Sequence, residues 1–200
     1  FGKQVIKEMN RVGMVIDMSH SAEKSTLETI ELSERPIAIT HANPSFFHAA
    51  LRNKSDAVIR AIGESEGILG FSMYPFHLKN GPDCTLKEFC QMIGQTVGMI
   101  GIDRVGIGSD LCLNWDYKVL EWMRSGRWTT SVDHGEGSAE RPAWPDQPSW
   151  FSGTKDLYVV AQGLSDQGFN DDDIAKVMGE NWLSFFEKSF SSKSAILVEN

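Results

Sequence analysis

The spacing of hydrophobic positions changes along the chain, and the changes predict alternating helices and strands. Val5, Ile6, Met9 and Val12 recur at helical spacing, and Gly13 stops the helix. "MVID" (14–17) then predicts a short strand, and Ala22 to Ser33 a second helix with Ser21 as its N-cap. Pro36 opens the strand "IAIT", and a loop follows through Asn53. "SDAVIRAIGES" predicts a short helix and "GILGFSMY" a third strand. "TLKEFCQMIGQTVGMIG" predicts a helix with Thr85 and Glu88 in capping-box positions, and "RVGIGSD" a fourth strand. Late in the chain, "TKDLYVVAQGLSDQG" and "NDDDIAKVMGENWLSFFEKSF" predict two more helices. In the second, Asn170 caps, and Ile174, Val177, Met178 and Phe185 form the apolar face.

Short apolar strands between helices predict a buried parallel sheet. The two common forms are an open doubly wound sheet and a (β/α)8 barrel. No GxGxxG follows the first strand, and the aspartate of "GIGSD" would repel a phosphate. The periodicity fails over 111–153, a stretch rich in tryptophan and proline. It is too aromatic for a disordered linker and predicts an ordered loop or lid. The expected organisation is one domain over 1–190 with a polar tail, 191–200.

Composition narrows the function classes. The chain has 200 residues, is 41% hydrophobic and carries a formal net charge of -8. That acidity argues against nucleic acid and anionic membranes as partners. No apolar run approaches the roughly 20 residues of a membrane span. Cys84, Cys90 and Cys112 have no metal-type spacing and predict free thiols in a reducing, cytoplasmic compartment. Phe1 falls inside a predicted helix, so the reading expects further sequence upstream, where a signal peptide could lie.

Candidate chemistry sits at the strand ends. His20, His41, Tyr74 and Asp110 follow the four predicted strands in turn. In a parallel barrel such positions converge on one mouth. Two imidazoles and a carboxylate suit zinc or a similar divalent metal, which a hydrolase uses to activate water. His48, His77 and His134 lack this placement and read as loop residues.

"VIKEMNRVGMVIDMSHS", "PIAITHAN", "LRNKSD", "GFSMYP", "IGIDRVGIGSD" and "DDIAKVMGENWLSFF" together resemble the membrane dipeptidase (renal dipeptidase, M19) family of metallopeptidases. The resemblance implies a (β/α)8 TIM barrel, an α/β fold, with a pair of zinc ions bridged by a glutamate. It implies His20 and His41 as the two histidine ligands of one zinc, and Asp110 as the aspartate that serves the other zinc, the attacking water and the substrate. Arg52 corresponds to the arginine that grips the substrate carboxylate, and Tyr74 to a tyrosine lining the pocket. The implied substrate is a dipeptide or similar small amide, and a homodimer is compatible with it. The family's early HxD motif and bridging glutamate have no counterpart here, so the chain reads as the second half of the barrel, strands five to eight. On its own such a half should be inactive and self-associating. The family's FDG-like turn is replaced by "LCLNWDY", which leaves the substrate range open. The rival readings are another barrel amidohydrolase, such as a lactonase or deaminase, and a degenerate non-catalytic module.

Overall fold

A computed structural model describes residues 1–112 and 146–190. Helix α1 (Gly2–Val12) ends where Gly13 takes φ 72°, a left-handed backbone that glycine adopts without steric cost. After α2 (Glu23–Leu32), β1 (Ala38–Ile39) leads through a long loop to α3 (Asp56–Glu64), capped by the Ser55 hydroxyl on the Val58 N–H. Strand β2 (Ile68–Phe71) is followed by α4 (Leu86–Ile100), with the expected reciprocal Thr85–Glu88 capping box, and then β3 (Val105–Ile107). The strands pair in parallel in the order β1-β2-β3.

The expected strand at 14–17 is reduced to a single parallel bridge between Asp17 and Ala38. Its ladder stops for a local reason. The Thr40 N–H, next in line for a main-chain partner, donates to the Asp17 carboxylate at 3.1 Å. The Met18 carbonyl turns instead to the Ser21 N–H and to Lys54. Ser21 is consumed by this turn, so Ala22 rather than Ser21 occupies the N-cap of α2.

Leu69, Phe71, Ile37, Ile39 and Val105 belong to the main core, which also takes in Val58 and Ile62 of α3 and Phe89 and Ile93 of α4. A second cluster joins Ala38 and Ile68 of the strands to Phe185, with Trp182 against it. Gly70 and Gly106 leave room there. A Cβ on Gly106 would lie 2.5 Å from the Trp182 ring nitrogen. The sheet is also sharply curved. A Cβ on Gly108, just past β3, would overlap the carbonyl of Thr40, just past β1. In a flat sheet strands two apart are separated by about 9.6 Å.

The last helices differ from the expected continuous run. After α5 (Leu157–Asp166), α6 (Asp171–Ala175) starts at the expected Asn170 cap and passes into a wide turn, Lys176–Glu180. Gly179 leaves helical backbone there, and α7 (Asn181–Phe190) follows. The break sets Asn181 over β3, where its amide donates to the carbonyls of Ile102 and Val105, both at 2.7 Å. The Trp182 ring N–H reaches Ile107 O at 3.0 Å.

Most of the expected insert (113–145) and the tail (191–200) lie outside the described residues. The end of the insert is anchored. Phe151 is buried, and the Trp150 ring N–H donates to Cys84 O at 2.7 Å. Among the described residues, no helix is long and apolar enough to cross a membrane.

Cys84 and Cys90 are buried free thiols and Cys112 is half-buried. Burial pushes Cys84 and Cys90 up to about 12. At pH 8 a thiol reagent should therefore label Cys112 first and leave Cys84 and Cys90 nearly untouched until the protein is unfolded. Mass spectrometry of timed alkylation checks this. Labelling of either buried thiol at its unfolded rate would show that the α4 core opens readily.

Candidate metal and substrate site

His20 and His41 leave their strands 21 positions apart in sequence, yet their Nε2 atoms lie 3.0 Å apart. The rings meet edge to face, with centroids 5.0 Å apart. Asp110 Oδ1 stands 4.0 Å from His41 Nε2. Asp110 sits beyond β3 in a left-handed backbone, φ 56°, uncommon for any residue but glycine and enriched at functional sites.

A polar network behind His41 fixes its ring. The Thr40 hydroxyl donates to Asp17 Oδ2 at 2.7 Å and lies 2.8 Å from His41 Nδ1. Its only proton goes to Asp17, so the Nδ1–H of His41 donates to Thr40. That leaves a lone pair on Nε2, facing His20 and Asp110. The Ser19 hydroxyl also donates to Asp17, and it accepts the His41 N–H at 3.1 Å. Burial raises the Asp17 carboxyl, but the hydrogen bonds from Ser19 and Thr40 outweigh it and hold the group below its ordinary range.

Two imidazole nitrogens this close, one with its lone pair assigned, fit adjacent positions around a metal. Zinc–nitrogen bonds of about 2.0–2.1 Å in tetrahedral geometry put two such nitrogens a little over 3 Å apart. Among the described residues, no group of three or more histidine, cysteine, aspartate or glutamate side chains is placed to hold an ion. The two imidazoles could supply two donors to an ion, with the Asp110 carboxylate 4.0 Å from one of them.

Arg52 is half-buried in the turn leading to Asn53 and Lys54, and its charge bears on the Lys54 ammonium. Tyr74 is buried, edge-on to His77 at 5.0 Å and to Phe76 at 5.5 Å. His77, read from sequence as a loop residue, is also buried, with Nδ1 2.8 Å from the Ser72 hydroxyl. His48 gives its carbonyl to Asn53, and His134 lies outside the described residues.

The sequence reading missed the asparagines that hold these loops together. Asn43 donates to Ser72 O and His77 O and accepts from the Ser72 N–H. Asn53 accepts from the Asn43 N–H and donates to His48 O and His77 O. The one available signal was their placement, two residues after His41 and one after Arg52.

A cavity of about 340 Å³ lies at the opposite end of the strands, lined by Glu66, Asp103, Arg104, Lys176 and Lys188 among others. Its charges pair with one another, Lys176 with Asp103 at 2.8 Å and Arg104 with Glu66 at 3.7 Å. It is remote from the histidines.

The family profile described as "Membrane dipeptidase (Peptidase family M19)" matches residues 1–118. Dipeptidase aclJ of Aspergillus oryzae is 24% identical over 185 residues, covering 91% of this chain and 36% of its own length. Dipeptidase tcpJ of Claviceps purpurea is 29% identical over 110 residues, covering 54% of this chain and 26% of its own. Among solved structures, an amidohydrolase from Pseudomonas aeruginosa superposes with a TM-score of 0.82 at 28% identity, over 96% of this chain and 57% of that one. A metallopeptidase from Rhodobacter sphaeroides, liganded with a phosphinate mimic of the dipeptide L-Ala-D-Ala, superposes with a TM-score of 0.73 at 21% identity. That match covers 94% of this chain and 46% of that one. The chain therefore spans about a quarter to a third of these curated relatives and about half of these solved chains.

Proposed function

The chain belongs to the membrane dipeptidase family, peptidase family M19, and on that premise we propose that it supplies half of the active site of a metal-dependent dipeptidase. The observation that carries this reading is the meeting of His20 and His41 Nε2 at 3.0 Å with Asp110 alongside. We also propose that the chain is the second half of a (β/α)8 barrel. The parallel order, the Asp17 bridge that adds a fourth stave, and the curvature at Gly108 support that reading.

In this reading His20 and His41 would hold one divalent metal, zinc by its preference for imidazole, and Asp110 would serve the second metal of the pair and the attacking water. Zinc bound there supplies Lewis acidity that activates water and polarises the scissile carbonyl. Asp110 takes the proton of the attacking water and delivers it to the leaving amine. Arg52 binds the free carboxylate of a dipeptide by a forked guanidinium contact. Tyr74, buried against Phe76 and His77, is the pocket-wall tyrosine of this reading. Cytoplasmic placement remains part of this proposal through the three free thiols.

Arg52 provides the test of substrate class. In the full-length protein, Arg52→Ala should cut kcat/KM for a free dipeptide by roughly tenfold to a few hundredfold. That is the scale of a charge-assisted hydrogen bond worth about 1.5–3 kcal/mol. A C-terminally amidated analogue should be a poor substrate and barely affected by the change. Arg52→Lys should recover only part of the loss. Equal losses on both substrates would make Arg52 a scaffold residue and remove the reason to specify a terminal carboxylate.

A further inference from the structure

Lys54 is 5% exposed, and lysine is rarely so buried without strong partners. Its ammonium donates to Met18 O at 3.0 Å and to Ser21 O at 2.9 Å. These are the first and last residues of a turn closed by the Ser21 N–H on Met18 O at 3.1 Å. His20 is the third residue of that turn. The ammonium thus grips the turn on both sides of the imidazole it presents.

The main chain of Lys54 is fastened elsewhere. Its N–H donates to Asn43 O at 2.8 Å, and its carbonyl accepts the Ser45 N–H at 2.8 Å. That segment begins two residues after His41. One residue therefore ties the strand end bearing His41, through its backbone, to the turn bearing His20, through its side chain. It also follows Arg52 by two positions. Burial, and then the nearby Arg52 charge, push the ammonium down to about 8, against the opposing pull of the Asp17 carboxylate. An aliphatic residue would avoid that desolvation cost but would leave both carbonyls without the donor.

We propose that Lys54 is a positioning residue that sets the separation of His20 from His41, and through it the affinity of the site for its metal. It does not touch substrate. The proposal rests on the reading of His20 and His41 as metal ligands, and the two can fail separately.

The test uses the full-length protein and zinc as the probe, with dissociation constants from chelator competition. Lys54→Met keeps the stem and removes the donors. It should weaken zinc binding roughly 10–100-fold, the scale for residues that orient metal ligands. At limiting zinc its kcat on a dipeptide should fall while KM stays within about twofold, and added zinc should restore most of the loss. Lys54→Gln, neutral and shorter, should also lose at least tenfold in zinc affinity, and it decides the matter should the methionine variant not fold. Lys54→Arg, which keeps a cationic donor, should recover part of the affinity. In a His20→Ala background, Lys54→Met should change zinc affinity less than twofold, because the turn then presents no ligand. Parental zinc affinity in either folded Lys54 variant would overturn the proposal, as would an undiminished Lys54→Met effect in the His20→Ala background. A parent protein that binds no zinc, or His20→Ala with unchanged zinc content, would instead sink the metal-site reading itself.

Discussion

His20→Ala in the full-length protein is expected to remove about one metal equivalent and nearly all dipeptide hydrolysis. The reason is geometric. Among the described residues two imidazole nitrogens converge here, 3.0 Å apart, and Asp110 stands 4.0 Å from one of them. Losing either nitrogen removes one of the two imidazoles that this part of the site supplies, and the residual affinity is too weak to keep the ion bound through purification. The loss should exceed the roughly 10–100-fold typical of outer-shell partners. A graded control comes from Thr40→Val, which keeps the shape of the side chain but removes the acceptor for His41 Nδ1. It frees the imidazole to change tautomer and should fall within that smaller range. Elemental analysis and dipeptide kinetics check both variants. Unchanged metal content in His20→Ala, or a Thr40→Val loss as large as that of His20→Ala, would reject this ordering.

The residues that could be read ahead of the structure are those whose signal is local. Gly13, the Thr85–Glu88 box and the Asn170 cap each act within a turn of the chain, so spacing alone revealed them. The parallel sheet was legible because short apolar strands alternated with helices. The convergence of His20 and His41 followed from that topology, since residues past parallel strand ends share one face. What stayed hidden depends on bonds between a side chain and a distant backbone. Lys54 reads in sequence as an ordinary loop lysine, yet its partners lie 33 and 36 residues away. Asp17 reads as the last residue of a strand, whereas its carboxylate takes the Thr40 N–H and ends that strand. The break at Gly179 is invisible to helical periodicity, because the apolar positions continue through it. It serves long-range bonds from Asn181 and Trp182 to β3.

Gly108→Ala is expected to be among the most damaging changes that add a single methyl group. The new Cβ would overlap the Thr40 carbonyl and sit 3.3 Å from the Gly70 Cα. Both neighbours are backbone, which cannot swing aside as the end of a flexible side chain can. Thr40 is held further, since its N–H and hydroxyl are both bound to Asp17. Relief therefore requires β1 and β3 to part, which unbends the sheet. Overpacking of this kind costs about 1–3 kcal/mol and sometimes more. That is a large share of the roughly 5–15 kcal/mol that keeps a domain folded. The parted strands also carry the site, because Thr40 orients His41 and Asp110 lies two residues past Gly108. Metal affinity should fall along with stability. Gly98 is the internal comparison. It lies within α4, and an added Cβ there meets no atom within 4 Å. Gly98→Ala should stabilise the protein by about 0.5–1 kcal/mol through helix propensity alone. Urea titrations of the two variants beside the parent should move the midpoint in opposite directions. A Gly108→Ala midpoint equal to the parent's would mean that the Thr40 carbonyl can yield, and that the tight curve of the sheet is not what holds His41 and Asp110 together.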